Sequence, residues 1–327
     1  SRLEANPRHL LWLLPLVLPF VIQGYFLRLT IVATFGIIVA TTLNILYGYA
    51  GLASLGHAAF YGIGAYTSAI LVAERGIPVI GSIVVATLAV GVLSLLVGIP
   101  LLRTSGLYFS IVTLAFNVVV YQIMVNWDTV TQGTIGYRNI PTFANSEGQI
   151  FILIYLFLLA LLVFKRELLR SYVGKALLAI REDEELAAEL GINVFAYKTG
   201  AFVVSSMLAG TTGALFAHYN GFLAPNYFTI FDSFNYFVIV TVGGAGTILG
   251  PIVGGALLTL LPEALRIAPE IRLLAYGLTL ILIIILMPEG IVGTIRNRTA
   301  NPLSKLQTGI KNLFSTDPTP DDREDNQ

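Results

Sequence analysis

Residues 29–73 have the sequence LTIVATFGIIVATTLNILYGYAGLASLGHAAFYGIGAYTSAILVA, which contains no charged side chain. A helix needs about 20 apolar residues to cross the hydrocarbon core of a bilayer, so this stretch is long enough for two crossings. Gly48 and Gly51 interrupt it near the middle, where glycines favour a change of direction. The stretch therefore predicts two membrane-spanning helices joined by a hinge at residues 47–51.

The composition of the whole chain agrees with a location in the membrane. Of its 327 residues, 12% are charged and 56% are hydrophobic, whereas about a quarter of the residues of a soluble domain are charged. A globule of this size would have too few charged side chains to cover its surface. The sequence therefore predicts an all-α polytopic membrane protein.

The composition also excludes several classes of function. The 19 basic side chains are balanced by 19 acidic ones, so no excess positive charge is available for a nucleic acid. A sequence without cysteine cannot form disulfides, zinc–thiolate sites or a thiol nucleophile. The three histidines, His9, His57 and His218, are far apart in the sequence, and we predict no metal centre.

Other uncharged stretches predict the remaining crossings. Residues 10–27 follow arginines, as in a secretory signal, but no small-residue cleavage site comes after them, and we interpret them as the first crossing. The further stretches lie at 76–102, 104–127, 148–164, 199–231, 233–262 and 273–288. Glycines divide residues 233–262, which predicts either two short helices or a re-entrant hairpin. We expect about ten membrane segments in total.

The distribution of basic residues predicts the orientation, because Lys and Arg in short loops stay on the cytoplasmic side. The segment 165–198 holds six of the 19 basic residues, and the tail 296–327 holds five more. We therefore expect both to be cytoplasmic, together with the N-terminus, and the polar loop 128–149 to lie outside. The predicted domains are a transmembrane domain at 1–295 and a largely disordered cytoplasmic tail after it.

Two glycine-punctuated elements lie at matching positions in the two halves of the chain, at 51–66 and at 243–255. With five spans in each half, the halves would have opposite orientations, as in inverted repeats whose interrupted helices surround a translocation path. Close helix packing through small residues explains the same glycines equally well. The candidate path residues are Gly51, Ser54, Gly56, His57, Gly243, Gly244, Gly246, Gly250 and Pro251.

Polar side chains are rare in the predicted crossings. His57 can bond a backbone carbonyl as a neutral imidazole, which is the commoner situation, or it can present a donor and an acceptor to a zwitterionic substrate. Hydrogen bonds between helices are expected for Asn44, Asn117 and Gln122.

The segment 174–193 predicts a short amphipathic helix on the cytoplasmic side, ending near Gly191. The residues that can share its apolar face are Leu177, Ile180, Ala187 and Leu190. A solvated connector and a helix that docks in a partner's cleft both fit this pattern. Five acids within eight residues disfavour a helix on an anionic lipid surface.

The sequence contains no element that could convert energy by itself. A Walker A motif requires Gly-Lys-Ser/Thr, but Ala176 follows Gly174 and Lys175. Between residues 30 and 164, every charged side chain lies at the end of a predicted crossing. Ion-coupled carriers usually place ionisable groups within the membrane. The driving force for transport must therefore come from elsewhere.

Four groups of motifs, in the right order, resemble the LivM-type permeases of branched-chain amino-acid ABC importers. The motifs are GYAGLASLGHAAF (48–60) with GIGAY (62–66), TQG (131–133) with Gly136 and Ile140-Pro141, AIRE (179–182) with AA (187–188) and LGIN (190–193), and VGGAGT (242–247) with Gly250-Pro251 and Gly254. The resemblance covers about residues 29–290. One departure is Gln132, where the family more often has a second glycine.

The resemblance implies the subunit composition of such an importer. A LivM-type permease pairs with a LivH-type permease, docks on two LivG/LivF-type ATPases that bind ATP and Mg²⁺, and receives substrate from a periplasmic binding protein. By this analogy the chain is not an enzyme, binds no cofactor itself and lies in the bacterial inner membrane. The residues expected to couple it to an ATPase are Arg181, Glu182, Asp183, Glu184, Glu185, Ala188, Leu190 and Gly191. Those expected to contact the binding protein are Thr131, Gly133, Gly136 and Arg138.

The expected function is therefore the inward translocation of branched-chain or other neutral amino acids. A related importer of urea or short-chain amides would have the same architecture. A stand-alone secondary carrier or channel would transport without ATPase partners. A membrane-embedded enzyme would need a clustered nucleophile, acid or metal set, and the sequence shows no such cluster.

Overall fold

The computed structural model describes residue 15 and residues 18–144, 146–264 and 277–300, apart from 279, 284 and 288. Within these residues the chain forms helices joined by loops, so the predicted all-α class is confirmed. The helices are α1 (Leu18–Val21), α2 (Tyr25–Ala50), α3 (His57–Arg75), α4 (Val79–Leu101), α5 (Gly106–Asn126), α6 (Asp128–Thr131), α7 (Glu147–Arg170), α8 (Tyr172–Glu182), α9 (Glu184–Glu189), α10 (Val194–Asn220), α11 (Ile230–Gly243), α12 (Gly250–Ala264) and α13 (Gly290–Ala300). Single 3-10 turns lie at Gly133–Ile135 and Pro225–Tyr227, and further helical residues lie at 277–278, 280–283 and 285–286.

Five helices are long and apolar enough to cross a membrane: α2, α4, α5, α7 and α10. The expected total of about ten segments is not confirmed. Most of the predicted crossing at 10–27, residues 273–276 of the predicted last crossing and the tail beyond 300 lie outside the described residues. Residues 233–262 fall on α11 and α12, which have 14 and 15 residues and correspond to the two short helices that the glycines predict.

The two ends of the bundle are defined by the contacts of α10. Near its start, Lys198 forms an ion pair with Glu184 of α9, and we call this the α8–α9 end. In its last turn, at the opposite end, His218 Nε2 lies 2.9 Å from Ser68 Oγ of α3. The helix therefore runs the whole length of the bundle and gives a scale on which the other helices can be placed.

Helices α2 and α7 run antiparallel to α10. Phe35, in the first half of α2, lies against Tyr219 near the end of α10, with 5.6 Å between ring centroids. Near the N-termini of α2 and α7, Arg28 Nε lies 2.6 Å from Glu147 Oε1. Both helices therefore begin at the opposite end of the bundle and finish at the α8–α9 end.

Helices α3 and α11 begin inside the bundle rather than at one of its ends. The backbone N–H of Ala58, in the first turn of α3, donates a hydrogen bond of 2.9 Å to Ser233 Oγ in the first turn of α11. From this meeting point α3 runs toward the opposite end, as the bond between Ser68 and His218 shows. Helix α11 runs toward the α8–α9 end, where Gly246 lies against Gly48. Helices α3 and α11 therefore meet near their N-termini and diverge inside the protein.

The contact between α3 and α10 depends on glycines. A Cβ atom at Gly213 would lie 1.8 Å from the carbonyl oxygen of Tyr61, and one at Gly64 would lie 2.1 Å from that of Gly210. The backbones of the two helices therefore pack directly on each other, which is how small residues drive helix association in membranes. This contact holds α3 in place although α3 begins inside the bundle.

Gly213→Ala should destabilise the protein, because the new methyl group would force α3 and α10 apart. Overpacking of this kind typically costs about 1–3 kcal/mol. Gly200→Ala in the same helix is the matched control, since no atom lies within 4 Å of the added Cβ and alanine is the better helix former. Thermal unfolding of the purified protein in mild detergent should show a lower Tm for Gly213→Ala only. Equal Tm values would contradict the close contact.

Candidate translocation and coupling site

The first interruption lies at residues 51–56, between α2 and α3. Helix α2 ends at Ala50, and Gly51 adopts a left-handed conformation with φ of 72°. The break therefore follows the predicted hinge at 47–51 by a few residues. Because the segment lies within the bundle, its backbone groups need partners there. The N–H of Leu55 donates to Thr113 Oγ1 at 3.1 Å, and the N–H of Gly56 donates to Ser54 Oγ at 3.3 Å.

His57 is fully buried at the start of α3. Its Nε2 lies 2.9 Å from Ser205 Oγ of α10, and that hydroxyl donates to the carbonyl oxygen of Thr42 in α2. The imidazole thus bonds a hydroxyl, not the backbone carbonyl that we considered the commoner partner. Its Nδ1 makes no hydrogen bond to the described residues. The side chain links α3 to α10 and, through Ser205, to α2.

The second interruption is the turn at residues 244–249, which we call the glycine turn. It reverses the chain between α11 and α12, and a Cβ at Gly243 would lie only 1.9 Å from the carbonyl oxygen of Gly250. Thr247 organises the turn, since its Oγ1 donates to the carbonyl of Gly244 and accepts from the N–H of Gly250 at 2.9 Å. These glycines therefore allow a tight helical hairpin, the first member of which also contacts α3.

Asn44 of α2 holds the glycine turn from the side. Its Nδ2 donates to the carbonyl oxygen of Thr247 at 2.8 Å, and its Oδ1 accepts from the N–H of Gly246 at 2.8 Å. The predicted interhelical role of Asn44 is confirmed. The side chain of Gln122 bonds within its own helix, since its Oε1 accepts from Asn126 Nδ2 of α5 at 3.2 Å. Asn117 is buried and makes no side-chain hydrogen bond to the described residues.

Two cations that the sequence analysis did not connect with the glycine turn also reach it or the backbone beside it. Lys165 of α7 is fully buried, and its Nζ donates to the carbonyl oxygen of Thr247 at 3.1 Å. Arg181 of α8 donates from Nη1 to the carbonyl oxygen of Gly48, next to Gly246. Lys165 counts in the sequence analysis only as a topology signal, and Arg181 is assigned there only to ATPase coupling, since their partners here lie 82 and 133 residues away in the sequence. Nothing in the local pattern indicates such pairs.

The predicted amphipathic segment consists of two helices instead of one. Asp183 ends α8 and caps α9, its Oδ1 accepting from the N–H of Leu186 at 3.0 Å. The apolar residues Leu177, Ile180 and Ala187 are buried against the bundle as expected. Leu190 is not, because 73% of it is exposed. Its predicted place on the apolar face is wrong, since α9 ends at Glu189 and Leu190 lies beyond the helix.

The acidic side of this segment is accessible. All of the residues expected to couple the chain to an ATPase are exposed, namely Arg181, Glu182, Asp183, Glu184, Glu185, Ala188, Leu190 and Gly191. Leu186 and Glu189 are exposed beside them. Glu184 pairs with Lys198, which fixes α9 to the start of α10. A row of exposed carboxylates therefore stands on a pair of helices whose other side is packed against the bundle.

The loop at residues 132–139, at the opposite end of the bundle, is held by backbone hydrogen bonds to the loop that follows α10. The N–H of Tyr137 donates to the carbonyl of Leu223 at 2.7 Å, and the N–H of Leu223 donates back at 2.9 Å. Burial, the charge of Glu74 and a hydrogen bond to it raise the pKa of Tyr137. Of the four residues expected to contact a binding protein, only Arg138 is exposed. The three buried ones are Thr131, Gly133 and Gly136.

A polar cavity of about 650 Å³ lies beside the glycine turn, between the end of α2, α8 and α13. Its charged lining residues are Arg181, Glu182 and Glu289, and Tyr47, Tyr49 and Thr247 also face it. Among the described residues, no group of three or more histidine and acidic side chains could hold a metal ion. Helix α8, the end of α2 and the glycine turn therefore line one cavity that carries both signs of charge.

Comparison with known proteins places this arrangement in a family. Residues 25–287 match the model of the branched-chain amino acid transport system permease component. The chain belongs to this family. The matched region includes both interruptions, the segment α8–α9 and the loop at the opposite end.

Individual relatives agree with this assignment. The permease is 31% identical to the high-affinity branched-chain amino acid transport system permease protein LivM of Escherichia coli K12, over 90% of this chain and 74% of that protein. It is 25% identical to LivH of the same organism, over 84% of this chain and 96% of that protein. A probable LivM of Methanocaldococcus jannaschii is 27% identical over 66% of the chain. No solved structure matches the permease significantly. The resemblance to LivM-type permeases is thus confirmed.

Gly246→Ala should destabilise the permease more than the same substitution at another glycine with positive φ. At φ of 78°, any side chain is strained, which costs roughly 1–2 kcal/mol. A Cβ at Gly246 would also lie 2.6 Å from Arg181 Nη1 and 2.9 Å from the carbonyl oxygen of Gly48. Gly76→Ala is the matched control, with φ of 63° and open space around the new atom. Thermal unfolding in detergent should show a clearly larger loss for Gly246→Ala, and equal losses would contradict the described turn.

Proposed function

We propose that this permease carries branched-chain or other neutral amino acids inward as one membrane subunit of an ATP-driven ABC importer. The observation that carries the proposal is the family match over residues 25–287, together with significant similarity to both LivM and LivH. The two named relatives are permease proteins of the same transport system. A chain similar to both fits a machine in which two related permeases form a pair.

The proposed partners follow from this assignment. They are a LivH-type permease, two LivG/LivF-type ATPases that bind ATP and Mg²⁺, and a periplasmic substrate-binding protein. The permease itself would bind no cofactor and catalyse no reaction. It would lie in the bacterial inner membrane with the N-terminus and the tail 296–327 in the cytoplasm and the transmembrane domain at 1–295. The balance of charges supports the orientation, since 165–198 is the part of the chain richest in basic residues before the tail.

We assign coupling to the ATPases to α8 and α9. The exposed charged residues of this segment are Arg181, Glu182, Asp183, Glu184 and Glu185, and Ala188, Leu190 and Gly191 extend the same surface. The exposed Leu190 supports this role, because a large apolar side chain that faces away from its own bundle is suited to a partner's cleft. The buried side of the segment keeps it attached to the bundle.

We assign the moving parts of the path to the two interruptions. The residues are Gly51, Ser54, Gly56 and His57 in the first, and Gly243, Gly244, Gly246, Gly250 and Pro251 in the second. His57, Ser54 and Gly56 are buried, so in this conformation they do not face an open path. Short helices that begin inside a bundle can move relative to each other with fewer broken backbone bonds than uninterrupted helices.

We assign the contact with the binding protein to the loop at the opposite end. Arg138 is its exposed cation, and 70% of Ile135 is exposed beside it. Thr131, Gly133 and Gly136 would act by shaping the loop. Thr131 Oγ1, for example, donates to the carbonyl of Met124 at 2.7 Å, and Gly136 has φ of 80°.

The subunit set can be tested by purification in mild detergent. The proposal predicts that a second permease and two ATPase subunits copurify with this chain. Vesicles that contain the chain alone should not accumulate labelled leucine, and uptake by the full assembly should require ATP. Uptake by the isolated chain would contradict the proposal and favour a secondary carrier. Selective uptake of urea or a short-chain amide by the assembly would instead contradict the assignment of amino acids as the substrate.

Glu185→Lys should weaken the coupling to the ATPases, because it reverses an exposed charge on α9. We expect at least a tenfold loss of ATP-driven uptake at unchanged expression. Arg181 is a less suitable position, since its guanidinium also bonds Gly48 within the permease. Arg103→Glu, an exposed charge reversal between α4 and α5, is the control and should retain uptake. Unchanged uptake for Glu185→Lys would contradict the assignment of α9.

A further inference from the structure

Lys165 is a buried cation that the proposed function does not use. It lies in α7 with none of its surface exposed, and none of the ion pairs among the described residues includes it. A buried ammonium group is costly unless it is hydrogen-bonded, and charged groups in membrane helices usually have a specific task. Its Nζ bonds the carbonyl oxygen of Thr247 and lies 5.4 Å from the centroid of the Tyr49 ring.

The hydrogen bond from Lys165 is one of two that the carbonyl oxygen of Thr247 accepts. The carbonyl oxygen of Thr247 also accepts from Asn44 Nδ2, while Asn44 Oδ1 accepts from the N–H of Gly246. Lys165 belongs to α7 and Asn44 to α2. The glycine turn is therefore fastened to two long helices by three hydrogen bonds, two of which converge on one oxygen.

The segment α8–α9 is attached to the same place. Helix α8 follows α7 after Ser171, and Arg181 of α8 bonds the carbonyl of Gly48 at the end of α2. Gly48 in turn packs against Gly246, since a Cβ at Gly48 would lie 2.5 Å from the nitrogen of Gly246. A displacement of α8 thus acts on the glycine turn along two routes, through Arg181 and through α7.

The glycine turn is connected onward to both interrupted helices. It ends α11, and Ser233 in the first turn of α11 accepts the bond from the N–H of Ala58 at the start of α3. A shift of the turn therefore changes the position of α11 and, through Ser233, of α3. Since α3 begins at His57, directly after the first interruption, the shift reaches both interruptions to which we assign the path.

We propose that Lys165 is a positioning residue that, with Arg181, makes the glycine turn move together with the segment α8–α9. The inference rests on the proposed function, because an ATPase supplies the displacement. Lys165 is fully buried, so a partner subunit does not touch it. An effect of its substitution on coupling consequently arises inside this chain and not at the docking surface.

Uptake per ATP hydrolysed tests this role. Lys165→Met keeps the aliphatic length of the side chain and removes the hydrogen-bond donor. We measure it in the complete importer in proteoliposomes. It should lower leucine uptake per ATP hydrolysed at least tenfold, while the rate of ATP hydrolysis stays within twofold of the parent. Arg103→Met, which removes an exposed cation outside the segment α8–α9, should leave the ratio unchanged. Lys165→Arg should restore at least half of the ratio, since it keeps a cationic donor at this position.

A distance measurement distinguishes lost transmission from a lost fold. The sequence contains no cysteine, so spin labels can be placed at Leu249→Cys in the glycine turn or at Glu189→Cys on α9, each paired with Thr134→Cys at the opposite end. On ATP binding both distances should change in the parent. In Lys165→Met, the distance from residue 189 should still change and that from residue 249 should not.

The outcomes separate the two proposals. If Leu249 moves equally in the parent and in Lys165→Met, or if uptake per ATP stays the same, the proposed role of Lys165 is wrong, but the proposed function as an importer subunit is unaffected. If Lys165→Met does not assemble, the parent alone still tests the inference: a Leu249 that stays in place on ATP binding while Glu189 moves would overturn it. Uptake by the parent without ATP would overturn the proposed function instead.

Discussion

The structure depends on one constraint: backbone N–H and C=O groups that leave a helix inside the bundle must find partners there, because the hydrocarbon region offers no water. Two such interruptions lie within the described part of the chain, at 51–56 and at 244–249. Side chains supply the partners in both places. Thr113 and Ser54 serve the first interruption, and Asn44 with Thr247 serves the second.

These hydrogen bonds have a mechanical consequence. A continuous helix transmits a push along its axis, whereas an interrupted one moves at the point where its backbone is bonded to a neighbour. Here the second interruption is bonded to α2 and α7 and lies against Arg181 of α8. The surface that we assign to the ATPases and the elements that we assign to the path therefore share one small cluster of polar contacts within an otherwise apolar bundle.

The features predicted correctly from the sequence are those that depend on chain length and hydropathy. Uncharged stretches located α2, α4, α5, α7 and α10, because bilayer thickness sets the length of a crossing. Glycines located both interruptions to within a few residues. The sequence did not reveal the bonds of Lys165 and Arg181, since no local pattern specifies a partner more than 80 residues away. The break at Asp183 and the burial of Thr131 were missed because each depends on loop geometry.

The sidedness of α8–α9 relative to the loop at 132–139 tests the central claim most directly. Single cysteines at Glu185 and Thr134, both exposed, can be treated with a membrane-impermeant maleimide in right-side-out and inside-out vesicles. If the segment α8–α9 receives force from cytoplasmic ATPases, Glu185→Cys should react only in inside-out vesicles and Thr134→Cys only in right-side-out ones. The reverse pattern, or labelling of both from one side, would contradict the claim.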